Sequence, residues 1–390
     1  MKFTRAERLN RLPPYLFVEI DRKKRALIAQ GKDVINLGVG DPDQPTPDFI
    51  QRALTEALSD PSVFKYPFDN GLLEFREAIA AFHKRRHGID LDPAREIWPL
   101  IGSKEGIAHF PLAVLNPGDL ALIPEPGYPP YFSGTLFAGG VPHLMPLRRE
   151  TRFLPDLDGL DPKIAAAARL IYVNYPNNPT GVFADDAFYW KLIEFAQRNG
   201  AIVLSDAAYS ETWIDMPPHS LLEYPGGKDV GIEFYSLSKT FNMTGWRIGW
   251  AAGNADLVQA LGALKMNLDS GVFSAIQKAA AKGLREGDAE ADRIRERYRG
   301  RLRAFLGACK EAGIEAPPPA GTFYVWCPLP TGRKWTSMEF CARLLDRAHV
   351  VVTPGNGFGP SGEGYFRVAL TVEEDRLREA VRRIVEAVKS

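Results

Sequence analysis

The sequence predicts an α/β protein in which a mostly parallel central sheet forms a large domain with helices on both faces, joined to a smaller α+β domain. Three observations carry this. Apolar runs of strand length recur at 120–123, 170–173, 201–204 and 232–235, with helical patterns such as 188–198 between them. The runs are apolar throughout instead of alternating, as expected of strands covered on both faces. Each run ends in polar or turn residues, at 124–128, 174–181, 206–209 and 236–239. Open α/β sheets bind ligands beyond the carboxyl ends of their strands, so these four ends predict one site.

The elements follow in order. Residues 1–45 form an arm and part of the small domain. Pro13 and Pro14 impose an extended segment over 12–16, and a helical pattern over 18–30 stops at Gly31. A short strand at 34–38 runs into a turn rich in Gly and Pro, 39–43. Helices are predicted over 47–58 and 73–83, with a loop at 65–71 between them, and another helix begins near Ser103. Residues 281–312 read as one long charged helix closed by Gly313, and the change of domain falls here. The expected division is an arm, 1–45, a large cofactor-binding domain, 46–285, and a C-terminal small domain, 286–390. Within the last, strands are predicted at 322–326, 350–352 and 365–370, and a final helix over 373–388.

Composition excludes several classes. Lys+Arg and Asp+Glu both number 48 in the 390 residues, so bulk charge gives no support to nucleic-acid binding. No apolar run suggests a signal peptide or a membrane span, which predicts a cytoplasmic protein. The three cysteines form no C-x-x-C pair and read as buried thiols. The six histidines are scattered, and no metal site is expected.

The stretch 235–247 holds the most chemistry. It sets Lys239 beside Ser236 and Ser238, with Arg247 eight positions on. A lysine held near another cation has a lowered pKa and is a better nucleophile. Hydroxyls and a guanidinium can bind a phosphate. An amine nucleophile beside a phosphate site is what an enzyme needs to hold pyridoxal 5'-phosphate as a Schiff base.

Five ordered motifs now bear on one another: Asn177-Asn178-Pro179-Thr180-Gly181, Ser205-Asp206-Ala207-Ala208-Tyr209, Ser236-Leu237-Ser238-Lys239, Gly245-Trp246-Arg247, and Arg367. Together they resemble the class I/II aminotransferases of fold type I over nearly the full chain. The segments 12–17, 37–43 and 267–273 further resemble the LL-diaminopimelate aminotransferase branch, within lysine biosynthesis.

The resemblance implies a role for each residue. Lys239 carries the cofactor and then moves the proton at the substrate's Cα. Asp206 ends an apolar strand, and a buried carboxylate needs a cationic partner, which the cofactor's ring nitrogen supplies. Tyr209 and Asn178 meet the phenolic oxygen. Ser103, Lys104, Ser236, Ser238 and Arg247 hold the phosphate, the first two at a helix start. Tyr128 stacks on the ring. Tyr66 reaches the phosphate of a partner subunit, which implies a homodimer with shared active sites. The planar fork of Arg367 suits the substrate α-carboxylate. Gly40 and Tyr15 lie over the substrate, and Asn174 is a further substrate contact. The implied reaction passes an amino group from an amino acid to a 2-oxo acid, with 2-oxoglutarate as the second substrate.

Plainer roles stay open for single residues: a helix cap for Ser103 or Asp206, a turn for Asn178, ring packing for Tyr66, Tyr128 or Tyr209, a surface ion pair for Arg367. For the whole chain, an alanine/aspartate-type aminotransferase of broader specificity and a lyase acting by β-elimination use the same residues. The S-x-x-K of 236–239 also fits a serine acyl transferase, but Ser205-Asp206 is followed by Ala207 and Lys239-Thr240 by Phe241, so the S-D-N and K-T-G partners are missing.

Overall fold

The structure, a computed structural model, describes residues 3–12, 17–67 and 70–389. Among them the strands are β1 (Ile35–Asn36), β2 (Ile97–Leu100), β3 (Leu120–Glu125), β4 (Val141–Pro146), β5 (Ala168–Asn174), β6 (Ile202–Asp206), β7 (Gly231–Ser236), β8 (Gly249–Gly253), β9 (Tyr324–Pro328), β10 (Val350–Val351), β11 (Thr353–Pro354) and β12 (Tyr365–Ala369).

Seven of these form the central sheet, in the order β2-β8-β7-β6-β5-β3-β4. Only β8 opposes its neighbours, pairing antiparallel with β2 and with β7. The mostly parallel sheet therefore matches the expected class. Both faces are covered. Along β6, Ile202 and Leu204 enter one buried cluster with Phe110 and Leu261, while Val203 enters another with Leu192 and Phe195. Period-2 alternation between two apolar layers explains why these strands carry no polar face.

Three central strands gave no clear signal in the sequence. β2 and β4 contain prolines, Pro99 in one and Pro142 and Pro146 in the other, and both lie at sheet edges where a missing N–H costs nothing. β8 reads Gly-Trp-Ala-Ala-Gly, with little β-propensity, yet all five residues are buried. Gly249 is required there: a Cβ would lie 2.3 Å from the Tyr235 carbonyl oxygen and 3.0 Å from the Ser103 nitrogen.

The expected single helix over 281–312 is two helices, Ser274–Glu286 and Asp288–Ala312, parted at Gly287. A side chain at Gly287 would strike the Phe241 ring at 2.6 Å, so the close approach selects glycine.

The C-terminal strands pack as the antiparallel sheet β11-β12-β9 and the parallel pair β1-β10. Ile35 and Leu37 share a buried cluster with Phe323, Val368, Leu377 and Ile384. The early chain thus completes a core made mostly of late residues.

Candidate active site

The site lies beyond the carboxyl ends of β5, β6 and β7, against β9 and β12. Its base is a cradle of backbone and hydroxyls. β2 leads to Gly102, at φ +74°, which precedes the helix Ser103–Val114. The Arg247 guanidinium lies over it: a Cβ on Gly102 would be 2.4 Å from its Nη2. The position that Gly249 leaves open is bordered by the Ser103 nitrogen and the Ser236 Cα, so the helix start and the end of β7 converge. Ser236 Oγ accepts from the Ser238 N–H at 3.2 Å, and both serines are buried. Free N–H groups at a helix start, two buried hydroxyls and a guanidinium form an anion site. Lys104 is exposed at the second position of the helix.

Above the cradle, Lys239 sits on the short helix Leu237–Thr240. Its Nζ donates to the Gly40 carbonyl at 2.6 Å. Burial lowers its pKa from 10.5 to about 8; the Asp41 carboxylate opposes this, and Arg367 and Arg247 add to it. Burial, not the neighbouring cation, is therefore the leading cause. About one amine in ten is unprotonated at pH 7, against about one in three thousand for a free lysine.

Asp206 ends β6 and is buried. Tyr131 Oη donates to its Oδ2 at 2.7 Å and the Ala208 N–H to its Oδ1 at 3.1 Å. Burial outweighs these bonds and raises its pKa from 3.8 to about 6. Among the described residues no lysine, arginine or histidine pairs with it. A buried carboxylate with two neutral donors and no cation requires one from elsewhere.

Tyr209 is buried, and its hydroxyl meets that of Tyr324 at 3.0 Å. Burial holds its pKa well above 10, so it remains a proton donor. Tyr128 precedes the helix Pro129–Phe137, with its ring edge-on to Tyr131 at 5.8 Å.

Arg367, on β12, is buried at 4% exposure. Its Nη1 donates to Asn178 Oδ1 at 2.7 Å and its Nη2 to the Gly38 carbonyl at 2.9 Å. The guanidinium carbon lies 4.0 Å from the Tyr324 ring centroid and 4.7 Å from that of Phe358. The segment 38–43 is anchored by Asp43, which takes two 2.7 Å bonds from the buried Arg301. Gly40 has no room for a side chain, since a Cβ would lie 1.7 Å from the Tyr324 hydroxyl.

The structure thus brings Lys239, Asp206, Tyr209, Asn178, Arg367, Gly40 and Arg247 together, with Ser103, Ser236 and Ser238 beneath them. The Asn174 side chain donates to the Asp206 carbonyl at 2.7 Å and accepts from the Asn178 N–H at 2.8 Å while 2% exposed. Both ends of its amide serve the backbone, so it orients Asp206 and Asn178. Tyr66 stands on the surface, 68% exposed. Tyr15 lies outside the described residues. Tyr131 and Tyr324 were not anticipated; each is an ordinary aromatic in sequence, and only the fold sets its hydroxyl against a functional group.

Glu105, His109 and Asp269 bring three ligand atoms within 4.8 Å of one another. The buried Lys265 ammonium lies 2.9 Å from both Glu105 and Asp269, so the group is an ion-pair cluster.

These features meet the needs of one cofactor. A neutral amine can bond covalently to an aldehyde, the cradle suits a phosphate, and Asp206 awaits a ring cation. Pyridoxal 5'-phosphate carries all three, and the residues fit it. A buried arginine opposite the amine adds a seat for the carboxylate of an amino acid. The fold and site therefore define a pyridoxal-phosphate-dependent aminotransferase of fold type I.

Sequence comparison leads to the same place. Residues 32–384 match the family Aminotransferase class I and II, and the chain belongs to it. It is 53% identical over 385 residues to the LL-diaminopimelate aminotransferase of Syntrophobacter fumaroxidans, covering 98% of this chain and 99% of that one. It is 52% identical over 383 residues to the enzyme of the same name from Aquifex aeolicus, covering 98% of each. Among solved structures, substrate-bound BacF from Bacillus subtilis superposes with a TM-score of 0.95 at 39% identity, covering 99% of this chain and 98% of that one.

The Asp206 environment makes a stability prediction. Between pH 3.8 and about 6, native Asp206 keeps a proton that the unfolded chain has lost. The native state binds more protons in this window, so this group makes stability fall as pH rises through it. Thermal melts of the cofactor-free protein should show this contribution, and Asp206→Asn should remove it. An identical pH slope in wild type and variant would refute the assignment.

Proposed function

We propose that this aminotransferase moves an amino group between LL-diaminopimelate and a 2-oxo acid, with 2-oxoglutarate as the acceptor, in a ping-pong cycle. One observation carries the substrate: relatives named for it are 53% and 52% identical over 98% of the chain. At that identity, a change of donor would require local changes confined to the side-chain pocket.

In this reading Ser103, Lys104, Ser236, Ser238 and Arg247 hold the cofactor phosphate, Asp206 faces the ring nitrogen, Tyr128 covers the ring, and Asn178 and Tyr209 meet the phenolic oxygen. When bound, the cofactor supplies an electron sink for the Cα–H bond electrons. Arg367 takes the α-carboxylate through its fork, exchanging the Gly38 and Asn178 acceptors for the substrate. Lys239, released from the Gly40 carbonyl, would take the Cα proton and return it on the far side of the amino nitrogen. Asp206 stays ionised against the ring cation, which its pKa of about 6 permits at neutral pH. Residues 46–285 would form the cofactor-binding domain and 286–390 the smaller one, with 1–45 contributing to both.

The test is a titration of the cofactor-loaded protein. LL-diaminopimelate should convert the visible absorption of the bound cofactor to that of its amine form. Alanine or aspartate should do so only if the specificity is broad. Failure with LL-diaminopimelate and conversion by aspartate would overturn the substrate assignment and leave the aminotransferase class intact.

The active unit proposed is a homodimer. Phe64, Tyr66, Met266, Leu268 and Phe273 are between 39% and 68% exposed. The two segments they come from meet: a Cβ on Gly271 would lie 3.2 Å from the Pro67 carbonyl. Such an apolar patch suits a second copy of the chain. If Tyr66 serves the partner's phosphate, Tyr66→Phe should weaken cofactor retention about tenfold, the worth of one hydrogen bond to a charged group. Phe273→Asp should shift the mass in solution towards the monomer and weaken retention as well. A wild-type monomer that retains cofactor would exclude the shared site. No helix among the described residues is long and apolar enough to cross a membrane; a cytoplasmic location is the reading consistent with a biosynthetic substrate.

A further inference from the structure

We propose that Tyr324 is a positioning residue that serves both halves of the site: its ring sets the plane of Arg367, and its hydroxyl sets the direction in which Tyr209 gives its proton. The observations come from three sides of one side chain. Tyr324 opens β9 and is 2% exposed. Arg367 on β12 pairs with Trp326 of β9, so Tyr324, two residues earlier, lies on the same face as a diagonal neighbour. The guanidinium lies over its ring at 4.0 Å, closer than over Phe358 at 4.7 Å. A buried cation held over a ring keeps its plane when its hydrogen-bond acceptors change, and Arg367 must exchange acceptors in every cycle.

The hydroxyl completes the link. Tyr324 and Tyr209 share one hydrogen bond of 3.0 Å. Each phenol has a single proton. Tyr209 can offer its proton to the cofactor's phenolic oxygen only if Tyr324 donates to Tyr209. The Tyr324 hydroxyl is held in place by the Gly40 backbone, which leaves no space for even a methyl group. Arg367 and Tyr128 also act on Tyr209, as does Tyr131, and removing one oxygen atom from Tyr324 leaves all three in place.

The experiment uses two variants of the cofactor-loaded enzyme. Tyr324→Phe keeps the ring and loses the hydroxyl. A weaker donor at the phenolic oxygen leaves more negative charge there, which holds the neighbouring proton to higher pH. The pH midpoint of the visible cofactor band should rise by about half a unit, with KM for the amino donor within about twofold of wild type. Tyr324→Leu should show the same midpoint shift and, in addition, about a tenfold rise in KM. An unmoved midpoint in Tyr324→Phe, or an unmoved KM in Tyr324→Leu, overturns the proposal. Should Tyr324→Leu not fold, Tyr324→Met removes the ring while filling more of its volume, and the same midpoint shift and rise in KM are expected; an unmoved KM there also overturns it. The inference rests on the roles proposed for Tyr209 and Arg367. Their failure is distinguishable, since a visible band that persists in Lys239→Ala would sink the cofactor site itself, whereas an unmoved midpoint in Tyr324→Phe sinks this inference alone.

Discussion

Lys239→Ala is expected to abolish transamination, by about 10⁴-fold or more, because it removes both the covalent attachment and the general base. The visible absorption that arises from the bond between lysine and cofactor should be absent. Folding should not suffer. The Lys239 amine is buried with its pKa lowered to about 8, so in the native state its protonated form is disfavoured. Between about 8 and 10.5 the unfolded chain binds more protons than the native one, so this group makes stability rise with pH across that window. Below pH 8 its cost is fully present. The alanine variant should therefore melt no lower than the cofactor-free wild type at pH 7, and should lack the extra stabilisation above pH 8. A variant that keeps the visible band and turns over would sink the assignment of Lys239.

Arg367→Ala is the second large effect expected. Its guanidinium is buried and presents two donors, at present used by Asn178 and Gly38. Removing one partner of a buried, hydrogen-bonded charge pair costs about 2–5 kcal/mol, so kcat/KM should fall on the order of 10³-fold. The loss should fall mainly on KM, and for amino acid and oxo acid alike, since both present the same carboxylate. Cofactor absorption should persist. Arg367→Lys should recover only part of the loss, because an ammonium keeps the charge but not the fork, and cannot keep a planar group over the Tyr324 ring. Wild-type KM values in Arg367→Ala would move the carboxylate site elsewhere.

Much of this site was legible in sequence because its residues fall in short motifs at strand ends. Asp206 and Ser236 close apolar runs, and a polar residue at that position in a parallel sheet points to the ligand crevice. Lys239 stands out by its neighbours, but a neighbouring cation accounts for only part of its lowered pKa. Arg247 is close enough to act on it, but burial comes first, and burial is a property of the fold. The pattern around 281–312 carries Gly283, Gly300 and Gly307 as well as Gly287, so nothing local marks the break; the ring that demands a glycine at 287 belongs to Phe241, more than forty positions earlier. The edge strands β2 and β4 were hidden by their prolines, and β8 by its glycines.

The sequence by itself determined the class of fold and the order of most elements, and singled out the lysine, the carboxylate and the arginine, because periodicity and local motifs record which residues face a core and which end a strand. Only the tertiary structure decided what surrounds each of them. Tyr131 reaches Asp206 across 75 positions, Arg367 reaches Asn178 across 189, and Lys239 reaches the Gly40 carbonyl across 199. It also bonded the Asn174 side chain to the backbone of Asp206 and Asn178, and set Tyr324 between Arg367 and Tyr209. Contacts over such separations leave no pattern in a single sequence, since nothing in local propensity links two residues that meet only after the chain has folded.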